Sequence, residues 1–258
     1  MSKKTDGMTE APLILAVETS GRTGSVALAM GKKMLAETAF CGLMRHSAEV
    51  FPSIYGLLQC LNKKADEIGH VYISIGPGSF TGLRIAVALA KTMHLANSAR
   101  IVAVNTMDVI AANAADYADE GGVNIDRIAT ILDAKRSQFF TAIYQRTSDE
   151  SNNAQFEKIL PDCLMTAAQF IDRFADQANP IWLLGEGLSH HKDAFNAESI
   201  HLLPENYWSP RAAKVHLLGW QRAQAGKFAD ALTLQPTYLR RPEAEEKWKP
   251  RSQRNRHH

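Results

Sequence analysis

The segment at residues 76–84 reads GPGSFTGLR and directly follows the apolar run VYISI. Glycine loops between a strand and a helix can hold phosphate on free backbone N–H groups. This loop matches no phosphate motif, because leucine follows Gly82 where a P-loop needs lysine, and the first two glycines lie too far from the third for a dinucleotide fingerprint. Pro77 and Thr81 stand where a nucleophile elbow around Ser79 needs glycines. The loop therefore serves either tight strand–helix packing or the close approach of a partner backbone.

Two short turns carry an acid that could face a phosphate. Glu18, Thr19 and Ser20 follow an apolar strand near the N-terminus, and Asp133 stands two residues before Lys135 after a similar strand in the second half. A carboxylate in this position can hold Mg²⁺ and phosphate. It can equally do no more than organise its own turn. Both interpretations remain open at this point.

Metal and disulfide chemistry find little support in the sequence. No His is followed four residues later by another His, HExxH is absent, and the side chains of the adjacent pair His190 and His191 diverge. The three cysteines are odd in number and show no CxxC spacing, which indicates free thiols in a reducing compartment. We expect no metal site in this chain.

The order of elements predicts two copies of one α/β topology. Three short strands joined by tight turns are followed by helix, strand, helix, strand and helix, and the second half repeats this order. Ser209 and Pro210 are predicted to open the last helix. Two such halves indicate two ribonuclease-H-like lobes of the actin, hexokinase and Hsp70 type (the ASKHA fold), each a mixed sheet with helices on its faces. We place the lobes at residues 13–118 and 119–239.

ATPases of this architecture place one acidic hairpin of each lobe near the phosphates. By that analogy, Glu18, Thr19, Ser20, Asp133 and Lys135 would form a vestigial nucleotide site. The sequence LLGEGLS adds Gly185 and Gly187 as a short adenosine-binding cluster.

Two helices are candidates for a partner interface. The helix from residue 82 to 97 is nearly apolar all round, whereas a one-sided surface helix shows a polar face. The helix from 47 to 61 is also rich in apolar residues, and together they could present a large apolar patch. The predicted interface comprises Ser47, Val50, Phe51, Ile54, Leu58, Arg84, Ala86, Val87 and Ala90. Ala86 and Ala90 are the candidates for the outward face.

Composition and charge indicate a globular chain with a basic end. The sequence has 258 residues, 45% of them hydrophobic and 22% charged, with a formal net charge of +2. No apolar stretch is long enough for a membrane span, and the first residues lack the apolar core of a secretory signal, so we expect a cytoplasmic protein. Residues 240–258 hold seven Lys or Arg and three Glu. This tail either contacts nucleic acid through charge alone or is a solvated end.

The segments ILAVETS, GPGSFTGLRIAVALAK, IVAVNT, ILDAKRSQFF and PTYLRR, in this order and spacing, resemble the TsaB (YeaZ) family. The resemblance runs from about Leu13 to Lys249 and implies the two-lobed fold. It also implies a role in making N6-threonylcarbamoyladenosine in tRNA, as a dimerisation subunit that pairs with the homologous transferase TsaD. The same resemblance implies a TsaE-type ATPase in the assembled complex, tRNA bound through the complex, and a homodimer when the chain is alone.

Departures from the transferase pattern imply a scaffold rather than an enzyme. TsaD carries a metal-binding HxxxH, whereas His46 stands alone here, and the first strand ends in Glu18 where Asp is usual. No cofactor is expected for this subunit by itself, and ATP or ADP with Mg²⁺ is expected, if anywhere, at a subunit junction. The resemblance also assigns the loop to the partner contact, through Gly76, Pro77, Gly78, Ser79, Phe80 and Thr81. The alternative is an ATP-binding kinase or hydrolase of the actin or hexokinase type that uses Glu18 and Asp133.

Overall fold

A computed structural model of the chain describes residues 11–41, 46–121, 124–148 and 154–239. The basic tail at 240–258 lies outside the described residues. In the described ranges, none of the helices combines the length and the apolarity that crossing a bilayer requires.

The first lobe is built on a five-stranded mixed sheet. Its strands are β1 (Leu13–Glu18), β2 (Thr23–Met30), β3 (Lys33–Cys41), β4 (Ile68–Ser74) and β5 (Arg100–Val104). They lie in the order β3-β2-β1-β4-β5, and β2 is antiparallel to both of its neighbours while β1, β4 and β5 are parallel. Tight turns join only antiparallel strands, and helical crossovers join the parallel ones, as the sequence pattern predicts.

The second lobe repeats this topology. Its strands are β6 (Arg127–Asp133), β7 (Phe139–Ser148), β8 (Ala154–Met165), β9 (Ile181–Leu184) and β10 (Ile200–Leu202). Their order, β10-β9-β6-β7-β8, is that of the first sheet with each strand replaced by its counterpart. The prediction of two ribonuclease-H-like lobes in an α/β fold is confirmed.

Five α-helices surround the sheets in the part of the chain that the structure describes. They are α1 (His46–Cys60), α2 (Phe80–Asn97), α3 (Thr106–Gly121), α4 (Ala167–Phe174) and α5 (Ala212–Gln224). Short 3₁₀ turns lie at Ala65–Glu67, Glu186–His190, Lys192–Phe195 and Glu205–Tyr207. Helix α2 begins two residues before the predicted start because the Ser79 hydroxyl accepts the Gly82 N–H at 3.3 Å and caps it.

Alternation along β1 assigns the helices to opposite faces of the first sheet. Leu13, Leu15 and Val17 pack with α1 and α2, whereas Ile14 and Ala16 pack with α5. Because successive side chains of a strand point to opposite faces, both sides of this strand are buried.

The last helix of each half crosses to the other lobe. The α3 residues Met107, Ile110 and Ala114 lie in the core of the second sheet, and Ala212 and Val215 of α5 lie in that of the first. The expected boundary at 118/119 therefore separates the two sheets but not the two cores. The crossing follows from burial, since each helix covers the apolar face next to it in space.

Close packing of α5 on β4 generates a stability prediction. A Cβ atom at Gly219 would stand 2.4 Å from the ring of the fully buried Tyr72. We expect Gly219→Ala to lower the free energy of unfolding by about 1–3 kcal/mol, the usual cost of overpacking. Gly69→Ala in β4 is the control, because a Cβ there comes no closer than 3.5 Å to Pro12 and alanine is favoured over glycine within a strand by about 0.5–1 kcal/mol. Urea unfolding of both variants measures the difference, and equal stabilisation by both would contradict the packing argument.

Candidate functional site

The glycine loop is pressed against other parts of its own chain. A Cβ atom at Gly78 would stand 2.6 Å from the Ser20 carbonyl oxygen, and one at Gly76 would stand 2.6 Å from that of Thr237. The Ser79 N–H donates to the Ser20 carbonyl at 2.8 Å. The loop therefore needs glycine so that the β1–β2 turn and the segment around Thr237 can approach it.

This arrangement corrects part of the predicted partner contact. Gly76 and Pro77 are buried within the chain, and Gly78 is half-buried against the β1–β2 turn. Of residues 76–81, only Ser79 and Thr81 are exposed. The close approach that the sequence predicts is real, but the backbone that approaches is the chain's own.

The carboxylate of Glu18 is buried at the centre of this junction. Its Oε1 accepts the Ser20 N–H and the Ser20 hydroxyl, both at 2.5 Å, and its Oε2 accepts the Ser74 hydroxyl. Burial raises the pKa of Glu18, the nearby Glu186 carboxylate adds to the rise, and the hydrogen bonds from Ser20 and Ser74 oppose it. The side chain ties the end of β1 to its own turn and to β4.

The neighbouring Thr19 connects the same turn to α2. It is fully buried, and its hydroxyl donates to the Gly82 carbonyl oxygen at 2.8 Å. Of the first predicted hairpin, Glu18, Thr19 and Ser20 are thus all occupied by contacts inside the first lobe.

A carboxylate from the second lobe enters the cleft beside this turn. Glu186 is 8% exposed, and its Oε2 accepts the backbone N–H of Arg22 at 2.6 Å. Its Oε1 accepts the Ser209 hydroxyl at 2.8 Å. Ser209 therefore does not cap the last helix as predicted, since α5 begins at Ala212 with Arg211 at the N-cap position.

The two glycines that flank Glu186 are packed on β6. A Cβ atom at Gly185 would stand 2.3 Å from the Ile131 carbonyl oxygen, and one at Gly187 would stand 2.9 Å from the backbone nitrogen of Asp133. Gly185 also has a φ of 127°, a conformation that side chains rarely adopt. These glycines place the 3₁₀ turn against the strand, and the space at their Cα atoms is filled by β6 rather than left open for an adenosine.

Asp133 of the second hairpin is engaged by its own turn. The Lys135 N–H donates to Oδ1 at 2.7 Å, and the Lys135 ammonium donates to Oδ2 at 2.9 Å. Burial acts to raise the pKa of Asp133, but these two contacts outweigh it and hold the pKa below its ordinary value. This geometry is that of an acid that organises a turn.

The residues present do not fit a nucleotide in the cleft. The backbone N–H of Arg22 in the β1–β2 turn is taken by Glu186, both hairpin acids are bound within their own lobes, and the Glu18 and Glu186 carboxylates are close enough to interact electrostatically. Two adjacent negative charges disfavour a further anion. Within the described residues, no group of three or more His, Cys, Asp or Glu side chains could hold a metal ion.

Helices α1 and α2 pack side by side and bury most of the predicted interface. Val50, Ile54, Leu58 and Val87 lie in the core between these helices and the first sheet. Ala86 and Ala90, the predicted outward positions, are fully buried there as well, so that prediction is wrong. Ser47 lies outside the residues whose side chains the structure describes.

The opposite sides of the same helices form an exposed surface, which we call the outer face. It consists of Phe51, Tyr55, Thr81, Arg84 and Ala88. Phe51 is 58% exposed and Tyr55 is 65% exposed, which is unusual for aromatic side chains. Tyr55 is absent from the sequence prediction, although its spacing of four residues from Phe51 would have placed it on the same side of α1.

A stack of side chains closes one end of the outer face. The Arg84 guanidinium lies over the Phe80 ring, 3.8 Å from its centroid, and the Tyr238 ring packs on Phe80 with centroids 5.1 Å apart. Nε of Arg84 also donates to the Tyr238 hydroxyl at 3.4 Å. The Thr237 N–H donates to the Ile75 carbonyl at 2.7 Å and holds this C-terminal segment in place. The segment thus brings the chain, at the point where the basic tail begins, next to the start of α2.

Comparison with known proteins relates the chain to one family of tRNA-modification proteins. Residues 43–248 match the family model described as TsaD, tRNA N6-adenosine threonylcarbamoyltransferase. The chain is 30% identical to the tRNA threonylcarbamoyladenosine biosynthesis protein TsaB of Bacillus subtilis (strain 168) over 239 residues, 91% of this chain and 97% of that protein. It is 24% identical to the protein of the same name from Escherichia coli (strain K12), over 88% of this chain and 94% of that protein.

Solved structures agree with the fold. The structure described as YeaZ from Pseudomonas aeruginosa superimposes with a TM-score of 0.71 at 21% sequence identity, covering 88% of this chain and all of that one. A second Pseudomonas aeruginosa structure, described as an uncharacterized protein with similarity to peptidase YEAZ, gives the same TM-score over 89% of this chain. At this identity the likeness concerns the fold alone.

The buried Glu18 generates a pH prediction. Because its pKa is raised in the folded chain, the folded state takes up a proton before the unfolded state as the pH falls from 7 toward 5. The stability of the wild type relative to Glu18→Gln should therefore increase over this range, with a slope of at most about 1.4 kcal/mol per pH unit. Denaturant unfolding at pH 5, 6 and 7 measures it, and the exposed Glu205→Gln is the control for losing one acid. If the stability of the wild type relative to Glu18→Gln stays constant or falls as the pH is lowered, the pKa of Glu18 is not raised in the folded chain.

Proposed function

Because the chain belongs to the TsaB (YeaZ) family, we propose that it is a non-catalytic subunit in the biosynthesis of tRNA threonylcarbamoyladenosine that pairs with a TsaD-type transferase. The observation that carries this proposal is the outer face of α1 and α2. Phe51 and Tyr55 are both largely exposed there and lie one turn apart on α1. Exposed aromatic side chains on rigid helices are typical of protein interfaces.

The shape of the outer face favours packing of a helix pair. A Cβ atom at Gly56 would meet nothing within 4 Å, and Ala88 has a small side chain on the neighbouring helix. Small residues between aromatic side chains allow close approach, while the rings supply area and Arg84 supplies a charge at the edge. Leu95, 83% exposed at the end of α2, extends the apolar area.

The match to the TsaD model supports a partner of related structure. When two subunits share one fold, equivalent helix pairs can meet around an approximate twofold axis. The same face then allows the chain to pair with itself when the transferase is absent. We therefore propose a homodimer of the isolated chain and a heterodimer with the transferase, both through the outer face.

Further partners follow from this assignment. In the cytoplasm the pair would assemble with a TsaE-type ATPase and bind tRNA as a complex. The excess of Lys and Arg in residues 240–258 favours contacts with RNA phosphates, and Tyr238, which precedes that tail, lies against Phe80 at one end of the outer face. ATP or ADP with Mg²⁺ would bind at a subunit junction and not in this chain's cleft.

A charge on the outer face tests the pairing. We expect Tyr55→Glu and Ala88→Glu to weaken both complexes by about tenfold to several hundredfold, because a desolvated apolar contact worth about 1.5–3 kcal/mol is lost and a charge is buried. Leu217→Glu on α5 is the matched control, since this leucine is also exposed on a helix but lies on the opposite side of the first sheet. Light scattering after size exclusion, and titration with the cognate transferase subunit, give the affinities.

The folding of each variant is checked by circular dichroism and thermal melting. If both outer-face variants remain folded and associate as tightly as the Leu217→Glu control, the partner contact lies elsewhere and the proposal fails. Loss of the homodimer with full retention of the transferase complex would limit the outer face to self-association.

A second candidate function is an ATP-dependent kinase or hydrolase. The observation that favours it is the retention of one acid, Glu18 or Asp133, in the hairpin of each lobe. Against it, Glu186 and the packed glycines fill the cleft. We expect the isolated chain to turn over ATP far more slowly than about 1 per second, the lower end of common enzyme rates. Phosphate release at or above that rate that is lost in Asp133→Ala would establish the enzyme instead.

A further inference from the structure

The β1–β2 turn has the features of an anion site. The Arg22 backbone N–H points into the cleft, and the Ser209 hydroxyl from the other side of the cleft points to the same place. The Arg22 guanidinium is directed to the same part of the second lobe, with Nη1 2.9 Å from Nε2 of His190. A backbone N–H and a hydroxyl that converge on one place are groups that proteins use to bind phosphate oxygens.

The anion at this place is the carboxylate of Glu186. One of its oxygens accepts the Arg22 N–H at 2.6 Å and the other accepts the Ser209 hydroxyl at 2.8 Å, so both oxygens are used. The contact joins residues 164 positions apart and links the two lobes directly. A carboxylate and a phosphate present similar pairs of oxygen acceptors to such donors.

The surrounding backbone is shaped around this carboxylate. A Cβ atom at Gly21 would stand 3.0 Å and 3.1 Å from the two Glu186 oxygens and 3.1 Å from Cδ of Pro210. Gly185 and Gly187, on either side of Glu186, are pressed on β6 and fix the turn that carries it. The position of the carboxylate is therefore set by packing from both lobes.

We propose that Glu186 is a built-in anion that occupies a phosphate-binding position on the β1–β2 turn, and that it thereby keeps phosphate compounds out of the cleft. The Glu186 carboxylate excludes phosphate because it is negatively charged and because it already accepts from the Arg22 N–H and the Ser209 hydroxyl. The buried Glu18 carboxylate lies close enough to interact with Glu186 electrostatically. The inference concerns the cleft alone and does not rest on the pairing through the outer face.

Removal of the carboxylate should expose the anion site. In Glu186→Ala, the Arg22 N–H and the Ser209 hydroxyl lose their acceptor, and pyrophosphate can supply a new one. We expect pyrophosphate in tenfold excess over its dissociation constant to raise the melting temperature of this variant by about 3 °C, and that of the wild type by less than 1 °C. Sodium chloride at equal ionic strength is the control for salt effects.

Two further arms sharpen the test. Mg-ADP should stabilise Glu186→Ala no more than pyrophosphate does, because β6 fills the space beside Gly185 and Gly187 where an adenosine would need room. Glu186→Gln keeps the size of the side chain without its charge, so we expect a shift between those of the wild type and the alanine variant. Glu205→Ala, an exposed acid changed in the same way, should respond as the wild type does.

The outcomes separate the proposal from its alternatives. A folded Glu186→Ala chain that responds to pyrophosphate no more than the wild type would overturn it. If the alanine variant does not fold, Glu186→Gln decides, since a shift above that of the wild type supports the proposal and an equal shift contradicts it. Because Glu186 is in the cleft, retention of the homodimer by a responding variant leaves the pairing proposal unaffected, and failure of the outer-face test leaves this one standing.

Discussion

The buried carboxylate of Glu18 is the interaction on which the rest of the first lobe depends. It holds the Ser20 backbone and hydroxyl together with the Ser74 hydroxyl, and so joins the ends of β1 and β4. From this point the Ser20 carbonyl accepts the Ser79 N–H, which fixes the beginning of α2. Burial of a carboxylate is unfavourable in free energy, and three hydrogen-bond donors offset that cost here. Removal of the carboxylate would leave each of those donors without this acceptor.

The position of α2 determines where the outer face lies. Its Gly82 carbonyl is held by Thr19, and its inner side packs with α1 on the first sheet. Phe51 and Tyr55 are thus displayed on helices that tertiary contacts already hold in place. A surface that is ordered before it binds loses less conformational entropy on association, which suits a subunit whose role is to pair with another.

The two lobes are joined by side chains of the chain itself. Glu186 bridges the lobes, and the exchange of α3 and α5 between the two cores binds them over a wider area. The Lys214 ammonium, which is nearly buried on α5, reaches Asp116 of α3 at 2.5 Å and joins the crossing helices. The two lobes are thus held together by contacts between the chain's own side chains.

The sequence by itself determines the order of strands and helices and the two-lobed topology, because periodicity and turn residues act over short distances. It also points to the glycine loop and the first two helices. The sequence could not tell which side of α2 is outward, since apolar residues surround that helix and only the sheet beneath it decides that Ala86 and Ala90 are inside while Ala88 is outside. The loop partner was equally hidden, because Gly76 meets Thr237 across most of the chain. The link from Glu186 to Arg22 and Ser209, and the departure of Ser209 from its expected cap, arise only when both lobes close. Contacts between residues far apart in sequence leave no local pattern, and it is these contacts that join the two lobes.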